Sequence, residues 1–289
     1  MKNWILASRP KTLSAAIVPV LVGSALAADE PPGVTWWVFV CALLGAVFIQ
    51  IATNFINDAL DFKKGTDTGE RLGPLRVTQA GLLSAEAVMR GAWLCLFLAA
   101  LCGIPLLYRC GWPMLVVGLA SIAAAYAYTG GPYPLAYHGL GEVFVMAFFG
   151  FVAVGGTFYA HSLQLTRAAL LAGFAVGSLG TVLLVVNNLR DVDGDRRNHK
   201  RTTVVRFGER FARIEIAFLA LAPFAIVALL SWVRQERGLL LVLLALPLAI
   251  AVILKSVRGR GAELNRVLAM AGALQWAFGL LFVIGSLFR

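Results

Sequence analysis

Long apolar runs broken by short polar links pattern this chain from one end to the other. Nine such runs are counted: Leu13–Ala28, Val34–Ile56, Ala85–Tyr108, Trp112–Tyr128, Leu140–His161, Ala168–Leu189, Phe211–Val233, Gly238–Leu254 and Val267–Phe288. Crossing a hydrocarbon core takes about 20 apolar residues in a helix. The pattern therefore predicts an all-α, multi-pass membrane helix bundle of nine transmembrane helices, forming a single domain over residues 1–289. Arg9-Pro10-Lys11 runs directly into the first apolar run, which reads as a membrane helix and not as a cleavable signal. The links after the first, third and fifth runs are short, so those pairs are expected to be antiparallel hairpins.

Composition agrees, since 60% of residues are hydrophobic and only 14% charged, against roughly a quarter charged in soluble domains. The net charge of +10 raises nucleic acid as a partner, but the placement of the charges argues for the bilayer instead. With nine crossings, one set of links carries twenty of the 25 Lys and Arg residues; the other holds only Arg109, Arg167, Arg234, Arg237 and Arg289. Such asymmetry marks the basic face as cytoplasmic. Cys41, Cys95, Cys102 and Cys110 form no CxxC pair and read as small packing residues. No phosphate-binding loop of the Walker type and no Ser-His-Asp arrangement is present.

Two long polar links stand out, and both fall on the basic face. One holds Asn57, Asp58, Asp61, Lys63, Lys64, Asp67 and Arg71; the other holds Asn187, Asn188, Arg190, Asp191, Asp193, Asp195, Arg196, Lys200 and Arg201. Asn57 to Asp61 aligns on Asn187 to Asp191 as a weak internal repeat. Asp58 and Asp61 are three apart, and Asp191 and Asp195 four apart, so each pair shares a helix face. Carboxylates crowded at a membrane helix end repel unless a cation offsets them. Hard oxygen ligands of this kind suit Mg²⁺, which binds through one or two carboxylates together with substrate phosphates. The neighbouring Lys and Arg side chains match a diphosphate clamp. Asp193 falls on the other side of such a helix and reads as solvated. Glu142 is left open between a functional and an interfacial carboxylate. The link Tyr128-Thr-Gly-Gly131-Pro-Tyr133-Pro-Leu-Ala-Tyr137-His138 lies on the same face and is a candidate wall of the site.

These motifs resemble the UbiA superfamily of membrane prenyltransferases over nearly the whole chain. The resemblance rests on Asn57-Asp58-x-x-Asp61 and Asp191-x-x-x-Asp195. Finer features are similar to the branch that prenylates 1,4-dihydroxy-2-naphthoate in menaquinone synthesis: Asp61-Phe-Lys-Lys-Gly65-Thr-Asp67, Gly73-Pro-Leu-Arg76, Tyr128-Thr-Gly-Gly-Pro-Tyr133 and Asn187-Asn-Leu-Arg-Asp191. The tail Arg196-x-x-His199-Lys200-x-Thr202-Thr203 departs slightly from that branch. The resemblance implies Mg²⁺ held by Asn57, Asp58, Asp61, Asp67, Asp191 and Asp195, and a polyprenyl diphosphate bound by Lys63, Arg71, Asn188, Arg190 and Lys200. It implies an aromatic acid held by Arg9, Tyr128 and Tyr133. Asp58, Asp61, Asp191, Asp195 and Lys200 would carry catalysis, with the site facing the cytoplasm from the inner membrane. Alternatives kept open are another aromatic acceptor such as 4-hydroxybenzoate, a transporter, and a non-catalytic scaffold.

Overall fold

The computed structural model describes residues 1–65 and 72–288. Eleven helices follow one another without a strand among the described residues: α1 (Lys2–Ser8), α2 (Ser14–Ala27), α3 (Trp36–Lys63), α4 (Ala85–Cys110), α5 (Trp112–Ala127), α6 (Gly141–Ser162), α7 (Arg167–Arg190), α8 (Val192–Arg197), α9 (Thr203–Arg234), α10 (Arg237–Arg258) and α11 (Gly261–Ser286). Seven of them, α3, α4, α6, α7, α9, α10 and α11, are long and apolar enough to span a bilayer. An eighth span results if α1 and α2, bent by 55° at their junction, count as one.

The expectation of nine transmembrane helices is thus corrected. The run Trp112–Tyr128 becomes a helix of 16 residues, roughly 24 Å long and short of a hydrocarbon core of about 30 Å. The first run is shorter still as a helix, 14 residues in α2, and its upstream turn breaks at Arg9, whose φ of 51° is left-handed. Arg9 sits before Pro10, which has no N–H to continue α1 and biases the preceding residue out of right-handed helix.

α7 is the most enclosed span and the hub of the larger core, where Val176, Leu179, Val182 and Val186 meet Phe158, Ile216, Phe224, Leu274 and Phe278. Close approach of α6 to α7 depends on glycine. A Cβ on Gly150 would stand 2.5 Å from the Gly173 carbonyl oxygen, and one on Gly177 2.9 Å from the Gly150 Cα. Small residues commonly let membrane helices pack at this range. In the same region α6 widens to π-helical geometry over Met146–Gly155. A second core joins α1, α3, α4 and α5 through Ala7, Phe55, Ile56, Val88 and Ala92.

α3 is the longest unbroken span, 28 residues or roughly 42 Å. That exceeds a hydrocarbon core of about 30 Å by roughly two turns, and Asn57 to Asp61 fall in the last two turns of the helix. Contacts gather the ends of α3, α5 and α7 and the starts of α6, α9 and α11 at this same polar end. The far end is closed by other ties. Arg234 meets Asp29 at 3.3 Å and Glu236 at 2.7 Å, and buried His161 bonds Ser24 and the Thr35 amide.

Candidate active site

A cavity of about 1820 Å³ opens between the two polar clusters and runs down among α2–α7 and α11. Its polar end is lined by Arg9, Asn57, Asp61, Arg76, Tyr128, Tyr137, Asn188, Arg190, Asp191, Asp195 and Lys200. Below them the wall is apolar, passing Gly45, Ala46, Gly103, Gly118, Phe148 and Trp276. Asp61 and Cys41, both on the wall, are twenty residues apart on α3, which places the cavity's two limits about 30 Å apart. Leu106 and Ala160 on the wall belong to a small buried cluster with Val38 and Cys110.

On α3, Asp61 faces the cavity and is held from two sides. Arg76 Nη2 donates to its Oδ2 at 2.7 Å and the Tyr137 hydroxyl donates to its Oδ1 at 2.9 Å. Asn57, one turn earlier, accepts a hydrogen bond from the Thr129 hydroxyl. Asp58 was expected beside Asp61 and is not on the cavity wall. Its carboxylate accepts from the amides of Val77 and Thr78 at 3.1 and 3.2 Å and from the Thr78 hydroxyl, and the residue is 2% exposed. Residues three apart are still about 60° apart around a helix, enough to send one carboxylate to the cavity and the other to the loop beside it.

At the end of α7, Arg190 grips Asp191 through both carboxylate oxygens, at 2.8 and 2.6 Å. Its remaining donors reach Asn187 at 2.7 Å and Asn265 at 2.9 Å. Arg190 was expected to bind diphosphate; the geometry occupies it chiefly in orienting Asp191. Asp195, on the single turn of α8, sits 3.7 Å from Lys200. Burial, with the charges of Asp191 and Asp61, raises the pKa of Asp195 to about 6 despite the opposing pull of Lys200. Its Oδ2 is buried with no hydrogen-bond partner among the described residues. Asp193 is exposed at the mouth, 3.7 Å from Arg196.

The lysines divide differently from the expectation. Lys63 points outward to Glu86 at 4.0 Å, whereas Lys64 turns inward. Its Nζ donates to the Thr129 carbonyl at 2.6 Å and lies 4.3 Å from the centre of the Tyr137 ring, with Lys200 Nζ 5.5 Å from the same ring. Desolvation lowers the Lys64 pKa, Asp61 opposes this, and Lys200 adds to it. One lysine from each cluster thus converges on one tyrosine, as a clamp for a polyanion requires. Tyr137 is held there because its carbonyl accepts from the Arg201 amide at 2.9 Å. Gly139, at φ 69°, lets the strand of chain pass, since a Cβ would meet the Arg201 carbonyl oxygen at 2.7 Å.

Of the expected acceptor contacts, Arg9 and Tyr128 line the cavity. Desolvation, together with Glu142, Asp61 and Asp195, pushes the Tyr128 phenol pKa up, so the hydroxyl stays a donor. Tyr133 is exposed, stacks on His138 at 3.6 Å and does not reach the wall. Asn188 lines the cavity while donating to buried Glu142 at 2.9 Å, so Glu142 orients Asn188 from behind. Asp67 and Arg71 lie outside the described residues. Lys64 was named from the sequence only among the clamp cations of the first link, and Arg76, Tyr137 and Asn265 were not singled out; Arg76 and Tyr137 lie in motifs already noted, whereas Asn265 carries no local signal.

The profile of the UbiA prenyltransferase family matches residues 16–278. The chain is similar to 1,4-dihydroxy-2-naphthoate octaprenyltransferase of Mycobacterium tuberculosis, 38% identical over 290 residues that cover 99% of this chain and 96% of the relative. The enzyme of the same name from Haemophilus influenzae is 34% identical over 301 residues, again covering 99% and 96%. In structure it is similar to a UbiA homolog from Archaeoglobus fulgidus bound to DMAPP and Mg²⁺, with a TM-score of 0.63, 17% identity and coverage of 97% of this chain and 99% of that one.

Proposed function

The chain belongs to the UbiA prenyltransferase family, and on that premise we propose that the cavity transfers a polyprenyl group from polyprenyl diphosphate to 1,4-dihydroxy-2-naphthoate. Diphosphate and CO₂ leave, and a demethylmenaquinol results, a step of menaquinone biosynthesis. The observation that carries the reading is that Asp61, Asp191, Asp195 and Lys200 line one mouth of a long apolar cavity, with Lys64 and Lys200 both turned to the ring of Tyr137 beside it.

The donor set is chemically suited to Mg²⁺, though among the described residues no three acidic side chains already stand close enough together to hold an ion. The oxygens of the set are hard, and Asp195 brings a buried oxygen without a partner among the described residues and a pKa raised first by burial and then by its acidic neighbours, both of which a bound cation would offset. Asp61, Asp191 and Asp195, with the Asn57 carbonyl, would hold the ion; Asp67 remains an expectation from the motif, Asn188 remains one for the diphosphate, and Asp58 is engaged by Val77 and Thr78 instead. Bound there, Mg²⁺ supplies charge neutralisation to the diphosphate.

The residues of the chain do the rest. Lys64 and Lys200 draw the diphosphate to the mouth and stabilise the charge it gains as the allylic C–O bond breaks. Asp61 and Asp191 stay oriented by Arg76, Tyr137 and Arg190. The prenyl tail runs down the apolar wall, where water is excluded from the cationic allyl carbon. Arg9 pairs with the carboxylate of the aromatic acid and Tyr128 donates to it, setting the ring carbon that bears the carboxylate against the allyl carbon. That carbon forms the new C–C bond, and the electrons of its bond to the carboxylate restore aromaticity as CO₂ departs.

Arg9, Arg76, Arg190, Arg197 and Lys200 line the cavity at its polar end, and by the positive-inside rule this concentration of basic side chains supports a mouth on the cytoplasmic side of the cell membrane. Purified protein given a polyprenyl diphosphate, Mg²⁺ and either dihydroxynaphthoate or 4-hydroxybenzoate should release CO₂ and prenylated product with the first only. Product from 4-hydroxybenzoate alone would replace the acceptor, and no diphosphate release with either would defeat the reading.

A further inference from the structure

We propose that Asn265, at the start of α11, is a positioning residue that locks the second acidic cluster to the exit of the first acidic link. Its Oδ1 accepts from Arg190 Nη1 at 2.9 Å and its Nδ2 donates to the Leu72 carbonyl at 2.7 Å. It also lines the cavity. Leu72 lies four residues before Arg76, the partner of Asp61, so one short amide ties the connection after α3 to Arg190 and the second cluster.

The orientation of that amide follows from its partners. Turned over, it would set its NH₂ against the guanidinium and its oxygen against a carbonyl, two like-signed contacts in place of two bonds. Asparagine is therefore required in a stricter sense than polarity alone: aspartate keeps the acceptor for Arg190 and loses the donor for Leu72, and alanine loses both.

The consequence reaches Asp191 through Arg190. A guanidinium is planar and rigid, and its Nε and Nη2 hold both oxygens of Asp191. Fixing Nη1 from a different helix fixes that plane, and with it the direction of the carboxylate. The Arg190 side chain is fully enclosed, so a guanidinium deprived of this acceptor has no water to turn to and must shift towards other partners. Outer partners of metal-binding carboxylates typically govern affinity by ten- to a hundredfold. α11, which brings no acidic residue to the site, thus sets the alignment of Asp191 with Asp61.

This inference rests on the proposed function, and its test separates the two. Full-length protein in nanodiscs is titrated with Mn²⁺ in the presence of inorganic diphosphate, following free Mn²⁺ by electron paramagnetic resonance, alongside steady-state kinetics with Mg²⁺. Asn265→Ala should weaken Mn²⁺ binding about tenfold and raise the KM of the prenyl donor, with the acceptor KM within twofold of wild type. Asn265→Asp should recover most of the Mn²⁺ affinity, because it restores the Arg190 acceptor. Unchanged Mn²⁺ binding in Asn265→Ala, or equal rises in donor and acceptor KM, would overturn the positioning role. The same holds if the aspartate variant folds and binds no better than the alanine. Absence of Mn²⁺-diphosphate binding in the wild type would instead overturn the metal site on which the inference stands.

Discussion

Asp58 and Asp61 lie a single turn apart on α3, and their surroundings assign them unlike work. Replacing Asp58 with Ala strips the acceptor from two buried amides and a hydroxyl, and each group left unpaired costs roughly 1–3 kcal/mol. Asp58→Ala is therefore expected to lower the melting temperature in detergent by several degrees while keeping measurable turnover, whereas Asp61→Asn, which also costs buried Arg76 its counter-charge, loses nearly all turnover at saturating Mg²⁺. Equal residual turnover in the two variants would remove the distinction. Tyr137→Phe deletes the hydroxyl bond to Asp61 while keeping the ring between Lys64 and Lys200. Its expected effect is a rise in donor KM of about tenfold, the worth of one hydrogen bond to a charged group, with acceptor KM unchanged. The residue types at the site were legible because acids and asparagines interrupt apolar helices there. Which way each side chain turns was not: a choice between Lys63 and Lys64, or between Tyr133 and Tyr137, is settled by links that come from distant parts of the chain, such as the Arg201–Tyr137 pairing.

Among the elements, α4 and α5 show most clearly how the apolar half of the cavity is made. Gly103 and Gly118 both lie on the wall, and a Cβ at either would meet nothing within 4 Å. A larger side chain there occupies room that a tail would use and disturbs no neighbour. Gly118→Leu and Gly103→Leu are expected to retain turnover of a short donor such as geranyl diphosphate and to lose at least tenfold in kcat/KM with an octaprenyl donor; equal effects on both donors would place the tail elsewhere. Gly139 predicts the opposite kind of outcome. Gly139→Ala must displace the Arg201 carbonyl, so both Tyr137 and Lys200 move and activity falls with every donor. Helix existence was readable from apolar runs, but the break at Arg9 and the widened geometry of α6 were not. The first lies at Arg9-Pro10, ahead of the first apolar run, and the second arises where Gly150 closes on Gly173 and Gly177.

For the whole molecule, the alternation of apolar runs and polar links revealed a membrane bundle with both acidic clusters at one end. Helix number was misjudged because apolar runs were counted irrespective of helical length: α5 is 16 residues, and α2 reaches a span only together with bent α1. Orientation can be measured directly. A Gly194→Cys variant places a thiol on α8, where a Cβ would meet open space, while the native cysteines stand in or at the ends of apolar helices. A membrane-impermeant maleimide should label it in inside-out vesicles and spare it in right-side-out ones; the reverse would turn the mouth to the other side. The cavity's apolar depth has a kinetic corollary. A donor and a product that both carry a long tail reside in the lipid phase, so the enzyme meets them at their surface mole fraction and not at their bulk concentration. Adding detergent at fixed substrate should slow turnover by dilution within the micelles alone, and the membrane's own stock of prenyl lipids then becomes part of the rate law.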